Sequence, residues 1–179
     1  MEIATNKIVE IIKEKKKIGI FGDYDVDGST STALLSRYFK EAGVEFEFYI
    51  PDRIKEGYGP NEDAFAKLVD SNCELIITLD CGTTAFKEID FTNKKGVDVI
   101  VIDHHKQGKE LPKAFAIVNP NKQSDNSNLV NLCAAGVTFL LLVSLNRELK
   151  KINFFQDGEP NLIFYLDLVA LGTVCDLVK

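Results

Sequence analysis

The chain has 179 residues, of which 45% are hydrophobic and 27% are charged, and its formal net charge is −6. This length suits one α/β domain, and the negative charge argues against a surface generally dedicated to nucleic acid, except at a site where bound metal covers the acidic groups. No apolar run approaches 18 residues and the four cysteines lack metal-binding spacing, so we expect a cytoplasmic protein without a membrane segment.

Apolar runs alternate with helical patterns up to residue 121. This alternation is typical of βαβ units, and it predicts an α/β fold with an open, mainly parallel five-stranded sheet and helices on both faces. We predict strands at 18–21, 45–51, 73–82, 97–105 and 114–121, and helices from Ser29 to Ala42, from about Asn61 to Ser71 and from Thr84 to about Lys95.

The character of the sequence changes after Asn121. Residues 122–131 are polar and predict an exposed loop. Two apolar segments follow at 132–151 and 161–178, and each is long enough for a helix. Because there is no internal repeat, we expect a single domain over residues 1–179, with a helical part at 132–179.

The stretch "GDYDVDGST" at residues 22–30 carries three aspartates at alternate positions before a glycine, namely Asp23, Asp25 and Asp27. A calcium loop of the EF-hand type would need a glutamate where Leu34 stands, and a helix where the sequence predicts a strand. A phosphate-binding loop would need a lysine where Ser29 stands, and three carboxylates would repel phosphate. The stretch is therefore interpreted as part of an acidic metal site.

Two other predicted strands also end in groups that bind metals. Asp80 ends the third strand, and Asp103, His104 and His105 end the fourth. Because ligand sites of open α/β sheets form at the carboxyl ends of the strands, we expect one shared site. Carboxylates with imidazoles suit Mn²⁺ or Mg²⁺, and this many carboxylates indicates two ions, about 3.5–4 Å apart. Successive strand residues face opposite ways, so the two histidines should differ in role.

A receiver-type signalling domain is an alternative of another class, since it also places acidic residues after its first and third strands. It would need a hydroxyl residue at the end of the fourth strand and a lysine at the end of the fifth. Those places hold "DHH" and "VNPN". We therefore favour an enzyme.

Seven motifs occur in the order found in bacterial RecJ-type exonucleases of the DHH phosphoesterase superfamily. They are "GDYDVDGSTSTALL", "PDRIKEGYGP", "ITLDCGTT", "VIDHH", "AIVNPN", "CAAGVTFLL" and "LDLVALGTVCDLV", within residues 18–178. This resemblance implies a metal-dependent phosphodiester hydrolase, a 5′→3′ exonuclease on single-stranded DNA that uses Mn²⁺ or Mg²⁺. It also implies a role in DNA recombination and repair, with other proteins of those processes as partners.

The resemblance also implies the roles of individual residues. The implied metal ligands are Asp25, Asp27, Asp80 as the bridge between two ions, His104, and Asp176 from the last apolar segment. His105 is implied as a ligand or a contact to the scissile phosphate, and Arg53 as a contact to a substrate phosphate. Asp23 is a candidate metal ligand at a position where many relatives have histidine. Asp103 would bind metal or orient a neighbouring histidine. The resemblance therefore implies that the catalytic residues are Asp80, His104 and His105.

Two alternatives stay open within this superfamily. One is a phosphodiesterase for short oligonucleotides or cyclic dinucleotides, although such enzymes usually have a histidine where Phe21 stands. The other is a non-catalytic replication scaffold, which would have lost metal ligands. We also expect the 179 residues to be the catalytic front part of a longer enzyme. Four lysines are interpreted as a solvated helix end rather than a DNA channel: Lys13, Lys15, Lys16 and Lys17.

Overall fold

The computed structural model describes residues 1–156 and 158–178. Six α-helices and five β-strands alternate over most of these residues, and a short 3₁₀ helix, Leu162–Tyr165, leads into the last helix. The elements are α1 (Glu2–Lys13), β1 (Lys17–Gly22), α2 (Val26–Glu41), β2 (Phe46–Tyr49), α3 (Glu62–Asp70), β3 (Cys73–Leu79), α4 (Phe86–Lys94), β4 (Asp98–Ile102), β5 (Ala116–Val118), α5 (Ala134–Lys151) and α6 (Leu166–Cys175).

The five strands form one sheet in the order β2-β1-β3-β4-β5, and every neighbouring pair is parallel. The predicted fold class is therefore confirmed. The parallel strands have continuous apolar sequences because both faces of the sheet are covered by helices. In β3, for example, Leu75 and Ile77 join the core cluster on one face, whereas Ile76 joins the cluster on the other.

Helices cover the two faces unequally. The larger core cluster packs α1, α2 and α5 on one face, and the smaller cluster packs α3 and α4 on the other. α6 packs mainly against α2 and α5. Helix α1 was predicted only through its solvated end at the four lysines, and no bounds were assigned to it. It is amphipathic, and Ile8, Ile11 and Ile12 enter the larger core.

Several boundaries near the site differ from the predicted ones. Strands β3 and β4 end at Leu79 and Ile102, before the predicted 82 and 105, so Asp80 and the two histidines follow their strands rather than lie within them. Helix α2 begins at Val26 rather than Ser29, because the Asp25 side chain accepts a hydrogen bond from the Gly28 N–H (2.9 Å) and caps the helix. Strand β2 is shorter than the predicted 45–51 and ends at Tyr49, before Pro51. As a consequence, Asp27 lies in the first turn of a helix rather than in a loop.

The lysines near the end of α1 lie beside acidic side chains. Of the four lysines at the end of α1, Lys16 contacts Glu14 and Glu74, each at 2.8 Å, and Lys17 contacts Glu47 at 2.7 Å. These pairings agree with a solvated surface rather than a DNA channel.

Among the described residues, no helix has the length and apolar character needed to cross a membrane.

Candidate metal centre

The predicted ligands meet at the carboxyl ends of β1, β3 and β4, where the C-terminal end of α6 joins them. Three groups of side chains each bring their ligand atoms within 4.8 Å of one another. The groups are Asp80–His104–His105, Asp27–His104–Asp176 and Asp23–Asp25–Asp80. Because Asp80 and His104 each belong to two groups, the three form one continuous cluster. The structure thus brings together all the implied ligands, while their roles remain predictions.

Asp80 lies at the centre of this cluster and is almost completely buried. Its Oδ1 lies 3.2 Å from His104 Nε2 and 3.8 Å from His105 Nδ1. Burial, followed by the nearby charges of Asp27 and Asp25, raises the pKa of the Asp80 carboxyl to about 10. Its φ angle of 62° is left-handed, a conformation that is uncommon outside glycine and is found at functional sites.

Helix α5 holds Asp27 from a distant part of the chain. The Ala134 and Ala135 N–H groups at its first turn donate to the two carboxylate oxygens of Asp27, at 2.6 and 2.9 Å. A helix N-terminus stabilises a negative charge, so the buried carboxylate stays oriented toward the cluster. The contact of this turn with Asp27 was not predicted.

A close approach of α6 completes this side of the cluster. A Cβ on Gly172 would lie 2.8 Å from Asp27 Oδ1 and 2.7 Å from Thr30 Oγ1, so only glycine fits there. Four residues further on, Asp176 ends α6 with its Oδ2 3.7 Å from His104 Nε2. Burial raises the pKa of the Asp176 carboxyl, and the facing His104 acts in the opposite direction.

Asp103 is fully engaged in hydrogen bonds and does not belong to any of the three groups. Its Oδ1 accepts from the N–H groups of His104 (2.7 Å) and His105 (3.0 Å) and lies 2.8 Å from His105 Nδ1, while its Oδ2 accepts from the Thr83 N–H. Although burial alone would raise the pKa of Asp103, hydrogen bonds from His105 and Thr83 hold it well below its usual range. This geometry favours orientation of the histidines over direct metal binding.

The two histidines differ in their surroundings, as predicted, although they follow β4 and do not alternate within a strand. His104 Nε2 is buried and faces Asp27, Asp80 and Asp176. His105 is half-exposed, and its Nε2 lies 3.1 Å from the hydroxyl of Tyr58, which also donates to the Asp80 carbonyl. The hydrogen bond to Asp103 raises the pKa of His105. Tyr58 was not predicted as a site residue, because it lies in a turn-rich stretch without periodicity.

The other predicted site residues differ in burial. Asp23 is buried, its Oδ1 accepts a weak hydrogen bond from the Gly59 N–H (3.4 Å), and burial raises its pKa. Asp25 is exposed. The guanidinium of Arg53 lies 5.5 Å from the ring centre of Tyr24, and both line an open cleft beside Asp25.

The donor atoms fit a divalent metal ion. Within the part of the chain that the structure describes, Asp23 Oδ2, Asp80 Oδ1 and His104 Nε2 are buried without a hydrogen-bond partner. Buried polar atoms without partners are costly, and cations bound in the two groups that share Asp80 would satisfy these three atoms. Carboxylate oxygens with one imidazole are the donor set expected for Mn²⁺ or Mg²⁺.

We expect Asp103→Asn to lower the pKa of His105, because an amide oxygen carries no charge to stabilise the imidazolium. The measurement is an NMR titration of the imidazole signals in the metal-free chain. Asp90→Asn, which alters only an exposed pair with Lys94, is the control. An unchanged pKa of His105 in Asp103→Asn would show that this hydrogen bond does not set it.

The site is a cluster of carboxylates and imidazoles at the carboxyl ends of the strands, in a parallel sheet with helices on both faces. This arrangement defines a class of metal-dependent α/β proteins. Within this class, the family model described as "DHH family, N-terminal domain" matches residues 17–173. The chain therefore belongs to the DHH family, as the sequence motifs predicted.

Within this family, the chain is similar to RecJ proteins in sequence and in structure. It is 41% identical over 178 residues to the single-stranded-DNA-specific exonuclease RecJ of Bacillus subtilis, covering 99% of this chain and 21% of that protein. A crystal structure of exonuclease RecJ bound to manganese matches with a TM-score of 0.84 at 35% identity, covering 98% of this chain and 42% of that chain.

A second solved structure agrees with the first. RecJ from Thermus thermophilus in complex with Mn²⁺ matches with a TM-score of 0.80 at 32% identity, and the match covers 98% of this chain and 24% of that chain. The chain thus spans less than half the length of each of these three relatives.

Proposed function

We propose that this chain is the catalytic domain of a metal-dependent exonuclease that degrades single-stranded DNA in the 5′→3′ direction. The observation that carries the proposal is the cluster around Asp80 and His104, whose buried donor atoms lack hydrogen-bond partners among the described residues. The substrate class comes from the relative in Bacillus subtilis, which is named a single-stranded-DNA-specific exonuclease. A cytoplasmic location and partners in recombination and repair remain predictions.

The proposed cofactor is a pair of Mn²⁺ or Mg²⁺ ions. Asp80 belongs to a group with His104 and to another with Asp23 and Asp25, which supports its role as the bridging carboxylate. Asp27 and Asp176 would complete the set through their group with His104. When bound, such ions lower the pKa of a water molecule and neutralise charge on phosphoryl oxygens.

The protein's own groups would act around this pair in distinct ways. The Asp103 carboxylate holds His105 and favours its protonated form, which can donate to a phosphoryl oxygen as negative charge develops there. The buried walls of the cluster keep the carboxylates fixed, so they need little reorganisation during the reaction. Because the proposed contacts are to phosphate oxygens rather than to base edges, we expect little sequence specificity.

Arg53 is proposed to contact a substrate phosphate. We expect Arg53→Ala to raise KM for single-stranded DNA about tenfold, since a charge-assisted hydrogen bond contributes about 1.5–3 kcal/mol. Affinity for Mn²⁺ should not change. Lys55→Ala, in the same loop and also exposed, is the matched control. Steady-state kinetics with both variants measures the effect, and an equal KM for Arg53→Ala and wild type would contradict this role.

Digestion assays test the proposed function. The protein is incubated in Mn²⁺ with a 5′-labelled single-stranded oligonucleotide, a duplex, a cyclic dinucleotide and pyrophosphate. We expect early release of the 5′ label as a mononucleotide from the single strand only. Hydrolysis of the cyclic dinucleotide without digestion of DNA would favour the phosphodiesterase alternative, and no turnover of any substrate would favour the scaffold.

We also propose that residues 1–179 form the DHH catalytic domain of a longer protein. Support comes from the small share of each relative's length that the chain spans. A second support is a set of exposed apolar side chains on the 3₁₀ helix, α6 and the residues after it, which would suit a covering segment: Ile163, Phe164, Leu166, Leu171, Val174 and Leu177. The isolated chain should then bind Mn²⁺ but digest long single strands weakly and without processivity.

A further inference from the structure

The stretch "NPN" after β5 has no role in the function proposed so far, although it contacts the histidine pair. Asn119 is 1% exposed. Its side-chain amide donates to the backbone carbonyl of His105 (2.8 Å) and to Thr83 Oγ1 (2.9 Å), and its Oδ1 accepts from the Asn121 N–H (2.7 Å). All polar atoms of this buried side chain are therefore used.

Asn121 makes the corresponding contact one residue earlier in the pair. Its amide nitrogen donates to the backbone carbonyl of His104 at 2.6 Å and more weakly to the Val130 carbonyl at 3.4 Å. The two carbonyls of the histidine dipeptide are thus each held by a different asparagine. Because the Asn119 side chain also binds the Asn121 backbone, the two contacts form one connected unit.

The N–H groups of the same dipeptide are held from the other side. Asp103 Oδ1 accepts from the N–H groups of both His104 and His105. Both N–H groups and both carbonyls of the pair therefore have fixed partners, and the peptide planes cannot rotate without breaking several hydrogen bonds. This restraint matters for His104, whose Nε2 must face Asp27, Asp80 and Asp176 from a short segment after β4.

We propose that Asn119 and Asn121 are positioning residues of the metal centre, which hold the backbone of the histidine pair so that His104 presents Nε2 to the metal. The inference rests on the proposed function, because it assumes that the cluster binds a divalent ion. Groups that orient a metal ligand usually matter for affinity, and their loss typically weakens metal binding about 10- to 100-fold. Their effect reaches the metal through His104.

The variants Asn121→Asp and Asn121→Leu test this role in the 179-residue chain. Both are close in size to asparagine and remove the donor to the His104 carbonyl. We expect each to weaken Mn²⁺ binding about 10-fold or more in isothermal titration calorimetry. Asp adds a negative charge near a cation site, which by Coulomb attraction alone would tighten binding, so weaker binding in both variants separates positioning from charge.

Asn93→Asp and Asn93→Leu are the matched controls. The Asn93 amide also donates to a backbone carbonyl, that of Lys113 (2.9 Å), but it is exposed and belongs to α4. These controls should keep the wild-type affinity for Mn²⁺. Asn119→Ser extends the test to the buried asparagine by keeping a shorter donor, and we expect weakened binding there as well.

Thermal unfolding of each metal-free variant provides the readout for a merely structural role. Variants at Asn121 that unfold at a lower temperature yet bind Mn²⁺ with wild-type affinity well below that temperature would overturn the inference. If Asn119→Ser does not fold, the Asn121 variants decide. Absence of Mn²⁺ binding by the wild-type chain would instead refute the proposed metal centre, so the two failures are distinguishable.

Discussion

Asp80→Asn is expected to lower hydrolysis of single-stranded DNA by about 1,000-fold or more while leaving the metal-free fold intact. The amide keeps the shape of the carboxyl group but cannot serve as the charged ligand that the proposed pair of ions would share. Loss of one preorganised charge-stabilising group commonly costs about 10²–10³ in rate, and a shared ligand affects both ions. Nuclease assays at saturating Mn²⁺ and circular dichroism of the purified variant measure the two parts.

The same substitution should alter how stability depends on pH in the metal-free chain. The folded pKa of Asp80 is about 10, above its ordinary value of 3.8. The folded chain therefore keeps a proton that the unfolded chain releases, and stability that is fully present below about pH 4 is lost as the pH rises toward 10. The slope from this one group is on the order of 1 kcal/mol per pH unit.

Urea unfolding between pH 5 and 8 in the presence of a chelator measures this slope. We expect a smaller loss of stability with rising pH in Asp80→Asn than in wild type, because the amide does not titrate. Asp70→Asn, at an exposed carboxylate, should behave like wild type. Undiminished turnover by Asp80→Asn would rule out the bridging role, and parallel pH profiles would rule out a protonated Asp80.

The sheet and the centre of the site could be predicted because both depend on local patterns. Strands buried on two faces leave continuous apolar runs such as that of β3, and helices of ordinary length separate them. Asp80 and His104 lie one and two residues beyond the ends of β3 and β4. Once those strands are parallel neighbours, their carboxyl ends must lie close together.

The contacts that refine the site depend on segments far apart in sequence, and local patterns do not contain them. Ala134 and Ala135 reach Asp27 across 107 and 108 residues. Tyr58 reaches His105 from a loop whose path is set by packing rather than by periodicity. The start of α2 was misplaced for a different, local reason, since Asp25 was interpreted as a ligand and its capping of the helix was not considered.

Gly28→Ala should destabilise the fold by about 3 kcal/mol and abolish tight Mn²⁺ binding. A Cβ at this position would lie 2.5 Å from the carbonyl oxygen of Asp23 and 2.8 Å from its Cα. These are backbone atoms, so no change of rotamer can relieve the contact. The first turn of α2 would have to move away from the strand end, which separates Asp27 from Asp23.

The direction of the change in stability distinguishes a steric clash at Gly28 from the helix propensity of alanine. Alanine is a better helix former than glycine by about 1 kcal/mol, so in open space Gly28→Ala would stabilise α2. Gly108→Ala is the control, because a Cβ there meets nothing within 4 Å. For a chain of this length, a loss of about 3 kcal/mol lowers the melting temperature by about 10 °C. A raised melting temperature in Gly28→Ala would mean that α2 can shift freely. The acidic segment would then not be held rigidly enough to form a preorganised metal site.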